Sequence, residues 1–159
     1  RSDKLSSDTS PVSDTVLEIF NVVNDSIDAI AILQPTSPIR FSSQIEMAID
    51  QFKKNKKFNS LVSVCGMDDV HPGRMYWKHS SELKPIMTEF HHKRRQDMPI
   101  AWYRNGAIYI VRKNAFISKN EVIVEPIMGF EMPKAELLNI DDPIDIKFAE
   151  VLLKDIKLC

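Results

Sequence analysis

The sequence predicts an α/β protein built on a parallel sheet, and three observations predict it. Ile30, Ala31, Ile32 and Leu33 make a short apolar run that suits a strand buried on both faces. That run stops at Gln34-Pro35-Thr36-Ser37-Pro38-Ile39-Arg40, where two prolines fix φ and remove two backbone donors. A helical pattern and a second apolar run, Leu61-Val62-Ser63-Val64-Cys65, come next, giving strand, helix, strand: a βαβ unit. The polar loop then lies at the carboxyl end of a buried strand, where open α/β sheets bind ligands. An ordinary polar turn between strand and helix would use the same residue types.

Bulk properties narrow the class. At 159 residues the chain is long enough for one domain with a real core and too short for two. With 43% hydrophobic and 27% charged residues it reads as an ordinary soluble globular protein. A formal net charge of −1 argues against nucleic acid as the main partner, so any anion site must be local. No apolar run reaches the length of a membrane span and no signal-peptide pattern is present, so no membrane partner is expected and the cytoplasm is the expected location. Cys65 and Cys159 make neither a disulfide framework nor a metal motif.

Taken in order, Arg1 to Pro11 is polar and turn-rich, with Ser10 placed to cap a helix and Pro11 at its first position. Ser7-Asp8-Thr9 is adequately explained by capping and turn chemistry. The helix is expected to run to about Asn24, with Val16, Phe20 and Val23 on its inner face. After the first strand and its loop, Ser43 and Glu46 are spaced as a capping box, opening a helix with Ile45, Ala48, Ile49 and Phe52 inward. The basic run from Lys53 to Lys57 is accounted for by the helix dipole and solvation.

From Asp68 to Pro99 the apolar periodicity fades, and all four histidines, His71, His79, His91 and His92, lie here. Such a segment inside a compact domain is a lid, a binding arm or an oligomerisation hairpin. The adjacent His91 and His92 point apart on any regular element, which argues against a metal site built on the pair. Lys93-Arg94-Arg95 is either a solvated charge run or the source of an arginine that reaches a carboxylate or phosphate.

Trp102 to Val111 is strand-like, and Gly106 within it would relieve a bulge or admit a close approach. Without a bulge, Trp102 and Tyr109 should face opposite sides. A short helix near Asn114 to Ser118, a strand over Val122 to Pro126 and another over Lys134 to Ile140 are expected next. Asp142 should cap a last helix that Pro143 opens, with Ile144, Phe148, Val151, Leu152 and Ile156 inward.

Five segments in one order, R-S-D-K-L-S-S-D-T, L-Q-P-T-S-P-I-R, R-R-Q-D-M-P, R-N-G-A-I-Y-I and N-I-D-D-P-I-D-I-K-F-A-E, span almost the whole chain. Together they resemble the acylneuraminate cytidylyltransferase family, the CMP-sialic acid synthetases and their relatives. The resemblance implies a Rossmann-like three-layer α/β/α sandwich with a mixed, mostly parallel sheet, of the nucleotide-diphospho-sugar transferase type. Residues 1–159 would form a single cytidylyltransferase domain, with 68–100 as a dimerisation and active-site arm. The implied activity transfers cytidine monophosphate from CTP to a sialic-type sugar acid and releases pyrophosphate. Close alternatives are a legionaminate or octulosonate cytidylyltransferase, or a non-catalytic remnant that binds a nucleotide sugar.

Carried over residue by residue, the resemblance places Arg1, Ser7 and Asp8 near the base and ribose, and Gln34 between nucleotide and sugar as a catalytic group. Thr36, Ser37 and Arg40 would shape that loop, while Arg74, Asn105 and Tyr109 would line the sugar site. Arg95 and Gln96 would reach the partner subunit's site in a homodimer. Asp141, with Asn139, would hold Mg²⁺ or Mn²⁺, hard cations suited to carboxylate and phosphate oxygens.

Two departures from the family pattern stand out. Its N-terminal glycine- and lysine-bearing triphosphate loop has no counterpart among the four glycines, so the domain is expected to be incomplete at its N-terminus. Asn139 stands where many members have Asp, keeping an oxygen ligand and losing a charge. At ~4 Å and an effective dielectric near 20 that charge is worth about 4 kcal/mol before desolvation offsets it.

Overall fold

Two apolar clusters on opposite faces of one sheet organise the chain. The computed structural model describes residues 10–23 and 27–155. They form, in order, α1 (Val12–Val22), β1 (Ala29–Ile32), α2 (Ser42–Lys54), β2 (Ser60–Met67), β3 (Tyr76–His79), β4 (Glu82–Pro85), β5 (Ala101–Arg112), α3 (Lys113–Lys119), β6 (Ile127–Glu131) and α4 (Pro143–Asp155). Ile110 and Val111, adjacent on β5, point to opposite faces, as strand geometry requires. On the Ile110 side, Ala48 and Phe52 of α2 pack with Leu61, Ile108 and Phe130. On the Val111 side, Val16 and Phe20 of α1 meet Phe116 of α3, the two phenyl rings 5.5 Å apart. The result is an α/β fold with helices flanking a mixed sheet.

The four-stranded sheet has the order β1-β5-β2-β6. β5 runs antiparallel to both β1 and β2, and β6 pairs parallel with β2. This corrects the expected βαβ unit with a locally parallel sheet. β1 and β2 do share a direction, but β5 lies between them, so two of the three pairings are antiparallel. Strand, helix, strand in sequence fixes direction; it does not fix adjacency.

Because β1, β2 and β6 point the same way, their carboxyl ends open on one edge of the sheet. Three connections leave from that edge: the Gln34–Arg40 loop, the 68–100 segment and the 132–142 segment. In the second of these, β3 and β4 form a separate antiparallel hairpin, followed by tight turns over Thr88–Phe90 and Arg95–Asp97.

Several local expectations change. Pro11 stands at the N-cap position of α1, one residue before the helix, with no side-chain cap, and Val23 lies beyond the helix and exposed. α2 starts at Ser42 and its box is closed by Gln44, whose Oε1 accepts from the Phe41 amide at 2.9 Å, so Ser43 and Glu46 play no such part. Its far end is closed by Arg112 of β5, which donates to the Phe52 and Phe58 carbonyls while lying over the Phe52 ring. The strand expected over Val122 to Pro126 falls later, at β6, and Lys134–Glu136 is a tight turn rather than a strand.

α4 differs most. Ile144, Phe148 and Val151 were expected inward, yet each is more than half exposed, and only Ala149 is buried. The helical period is right, but no described element covers the face it creates. Ile156 lies outside the described residues.

Candidate active site

The centre of the carboxyl edge is a bulge in β5. Between the pairs Val62–Tyr109 and Val64–Arg104, β2 advances two residues and β5 advances five. The surplus forms around Asn105, Gly106 and Ala107, where Gly106 has φ +81°, a conformation that favours glycine. The bulge also puts Trp102 and Tyr109 on the same face, since their partners Gly66 and Val62 are four residues apart on β2.

The polar groups that this irregularity strands are recovered locally. Ser63, opposite the bulge, donates to Asn105 Oδ1 at 2.5 Å and accepts from the Ile108 amide at 2.8 Å. Asn105 Oδ1 also accepts from the Ala107 amide, and its Nδ2 lies 3.4 Å from Met132 Sδ. Asn105 is only 2% exposed. Its side chain therefore builds the bulge from inside the sheet and does not face outward as a pocket wall would.

Above the bulge sits the proline-bracketed loop that follows β1. Ser37 donates to Asn139 Oδ1 at 2.6 Å and lies 3.3 Å from the Asn105 carbonyl. The Thr36 carbonyl accepts from the Ile140 amide at 2.7 Å, so two struts fix loop and 139–140 segment together. Arg40 folds back and donates to the Gln34 and Ser37 carbonyls, which makes it a loop brace. Burial pushes its guanidinium below its ordinary pKa, although an arginine keeps its charge in proteins.

Around Gly106 the approach is tight. A Cβ at that position would stand 2.9 Å from Ser37 Oγ, 3.1 Å from Gln34 Oε1 and 3.2 Å from Asn139 Oδ1. Gln34 and Ser37 of one loop and Asn139, about a hundred residues further on, thus converge on the one position where a side chain is missing. Thr36 is exposed at the rim of this cluster.

Beside it lies a small cavity of about 130 Å³ lined by Gln34, Arg104, Tyr109, Val12, Val122 and Ile123. The Arg104 guanidinium stands 5.9 Å from the Tyr109 ring centroid and forms no ion pair among the described residues. Sequence reasoning passed over Arg104, although it directly precedes Asn105-Gly106. It also passed over Ser63, which looks like any small strand residue until the bulge is seen.

Asp141 and Asp142 follow Asn139. Their backbone amides both donate to Asp145 Oδ2, at 3.0 and 2.8 Å, so Asp145 closes the start of α4 and not Asp142 as expected. The carboxylates of Asp141 and Asp142 are exposed and make no hydrogen bond or ion pair among the described residues. No group of three or more His, Cys, Asp or Glu among those residues is placed to hold a metal. Exposed, unpaired carboxylates still fit Mg²⁺, which is commonly held by one or two carboxylates plus substrate phosphates and water.

Arg74, Arg95 and Gln96 belong to the 68–100 segment and join a different group. Arg95 pairs with Asp69, and Arg74 donates to the Asp69 carbonyl at 3.4 Å. Arg95 and Gln96 line a cavity of about 220 Å³ with His71, and it shares no residue with the Gln34 cavity. Within one chain the two groups are not brought together. Arg1, Ser7 and Asp8 lie outside the described residues. Larger cavities, of about 540 and 720 Å³, lie at the amino end of β1, away from the loop, and an open one of about 560 Å³ lies at the carboxyl ends of β2 and β6, lined by Gly66, Met132 and Lys134.

The fold and the placement of these groups define an α/β domain with its ligand-type side chains at the carboxyl edge of a mixed sheet. No family model matches the chain. Relatives do. The chain is 30% identical over 160 residues to CMP-N,N'-diacetyllegionaminic acid synthase of Legionella pneumophila, covering 97% of this chain and 67% of the relative. It is 24% identical over 157 residues to N-acylneuraminate cytidylyltransferase of Escherichia coli O18:K1:H7, covering 94% of this chain and 35% of that one. Against pseudaminic acid cytidylyltransferase of Campylobacter jejuni the identity is 24% over 155 residues, covering 96% and 65%. The chain thus spans between about a third and two thirds of the length of these curated relatives. In fold it is similar to CMP:2-keto-3-deoxy-manno-octonic acid synthetase complexed with CTP, with a TM-score of 0.64 at 11% identity over 93% of this chain and 70% of that one. The chain belongs to the acylneuraminate cytidylyltransferase family of CMP-sugar-acid synthetases.

Gly106→Ala tests the bulge directly. It should lower the unfolding free energy by about 1–3 kcal/mol, from the left-handed φ and the displaced Ser37 and Gln34, read by urea denaturation. A variant as stable as the parent would show that the loop does not press on this position.

Proposed function

We propose that the chain acts in cytidylyl transfer, binding CTP and a nonulosonic acid so that the sugar's anomeric hydroxyl attacks the α-phosphorus and pyrophosphate leaves. The observation that carries this reading is the convergence of Gln34, Ser37 and Asn139 on Gly106 at the carboxyl edge of the sheet, in a chain of this family. The reaction asks for placed donors and charges and needs no protein nucleophile. In this reading Gln34 bridges nucleotide and sugar, Ser37 and Arg40 hold the loop in shape, and Arg104 over Tyr109 meets the sugar carboxylate with its fork. Asn105 supports the pocket from beneath.

Asp141, with Asn139 two residues before it in the chain, would hold Mg²⁺, which when bound neutralises charge on the phosphate oxygens. Arg95 and Gln96 share no cavity with Gln34 in one chain, and this favours a homodimer in which each arm completes the partner's site.

The test is formation of CMP-sugar and pyrophosphate from CTP, Mg²⁺ and a panel of N-acetylneuraminate, N,N'-diacetyllegionaminate, pseudaminate and 2-keto-3-deoxy-manno-octonate, with the full chain. Turnover of at least one acid, lost at least tenfold in Gln34→Ala, is the expected result. Binding of CTP and acid without turnover would instead support a nucleotide-sugar-binding role; a folded sample that binds neither would contradict both.

Asn139→Asp should strengthen the metal site. The added charge is worth up to about 4 kcal/mol before desolvation, so the Mg²⁺ concentration for half-maximal activity should fall severalfold. An unchanged Mg²⁺ requirement would place the metal away from position 139.

A further inference from the structure

The three basic residues in a row on the arm have three separate fates. Lys93 lies over the Phe90 ring at 4.9 Å. Arg94 is closed off by Asp97, with Nε and Nη2 donating to its two oxygens at 2.8 and 3.2 Å. Arg95 gives only Nη1, to Asp69 Oδ1, so its Nε and Nη2 stay without a partner among the described residues. Arg94 keeps Nη1 and Arg95 keeps Nε and Nη2, and of the two only Arg95 lines the cavity shared with Gln96 and buried His71.

Asp69 is itself tied to a second residue at the sheet edge. Its Oδ2 accepts from Lys134 Nζ at 3.3 Å. Asp69 lies two residues beyond the end of β2, and Lys134 three beyond the end of β6. Those strands pair in parallel, with Val64 opposite Glu131, so both residues emerge side by side from the same edge. The carboxylate therefore spans from a sheet-anchored lysine to an arginine that arrives on the arm.

We propose that Asp69 is a positioning residue for Arg95: with Lys134 it clasps the arm to the sheet edge and aims the remaining donors of the Arg95 fork at an anionic group of the substrate. The guanidinium is planar, so holding one nitrogen sets the direction of the others. The clasp is exposed, and exposed pairs contribute little to overall stability; its work is orientation. The inference rests on the reading of Arg95 as a substrate-binding residue given above, and it extends that reading to two residues, Asp69 and Lys134, that contact no substrate themselves.

The experiment compares Asp69→Asn, Arg95→Ala and the double variant in the CMP-sugar assay, with Asp69→Glu as the conservative control. Asp69→Asn should raise the KM for the sugar acid roughly two- to fivefold, the scale of an exposed charge pair, with kcat, the KM for CTP and the thermal midpoint nearly unchanged. Asp69→Glu should recover most of that loss, and the double variant should be no worse than Arg95→Ala alone, as residues acting through one another require. If Arg95→Ala raises the KM and Asp69→Asn does not, or if the two losses multiply, the clasp is wrong while the reading of Arg95 stands. If Arg95→Ala changes nothing in an active chain, both fall. In a chain without turnover the clasp is read from the Arg95 Nε–Hε resonance, which Asp69→Asn should move; an unmoved resonance overturns the proposal.

Discussion

The positive φ of Gly106 is the constraint on which the candidate site depends. β5 carries more residues than β2 needs to pair with, and the surplus must fold out at one place. That place is governed by Ser63 and Asn105, which supply the hydrogen bonds the broken ladder has lost. Once the strand has turned, the absence of a side chain lets Gln34, Ser37 and Asn139 approach to within contact distance. The loop after β1 is rigid for reasons of its own, two prolines and the Arg40 brace. The 139–142 segment is rigid because Asp145 gathers its amides. Each of the three pieces is held separately, and Gly106 is where they are allowed to meet.

Much of this was legible in the sequence, and the rest was hidden for definite reasons. The strand and its proline loop could be read because an apolar run followed by two prolines has few other solutions, but the strand expected to be buried on both faces lies at the edge of the sheet with no residue fully buried. Gly106 could be marked as a bulge candidate because glycine inside an apolar strand needs an explanation. That β5 would insert between β1 and β2 was not readable, since local pattern carries strand direction and not neighbour identity. The same limit applies to α4. Its apolar spacing announces a helix correctly, yet Ile144, Phe148 and Val151 are exposed, because periodicity states which residues share a face and not whether anything covers it. Asn105 was expected to line the sugar pocket and is instead buried inside the bulge: the residue type that serves a pocket also serves a bulge.

The charges of the arm divide in the same way. A run of like charges reads from sequence as one solvated feature, but the fold gives Lys93, Arg94 and Arg95 different partners and places only Arg95 at the cavity with Gln96 and His71. Arg95 and Gln34 nonetheless occupy separate cavities of one chain. In the proposed reading, a site that needs both is assembled between chains, with the clasp of Asp69 and Lys134 keeping Arg95 in its own chain's arm. The larger cavities at the amino end of β1 share Lys56 and Arg112, and the one of about 720 Å³ also has Asn59 and Asn114, but both lie away from the carboxyl edge where Gln34, Ser37 and Asn139 converge.

The central claim is that ligand is bound at the Gly106 edge and not in those larger cavities. Titrating CTP and Mg²⁺ into the isotope-labelled chain and following its amide resonances tests this most directly. The account predicts shifts concentrated at residues 34–40, 104–109 and 139–142, with the side-chain amides of Gln34 and Asn139 among them. Shifts confined to residues 27–31, 53–56 and 110–115 would contradict it.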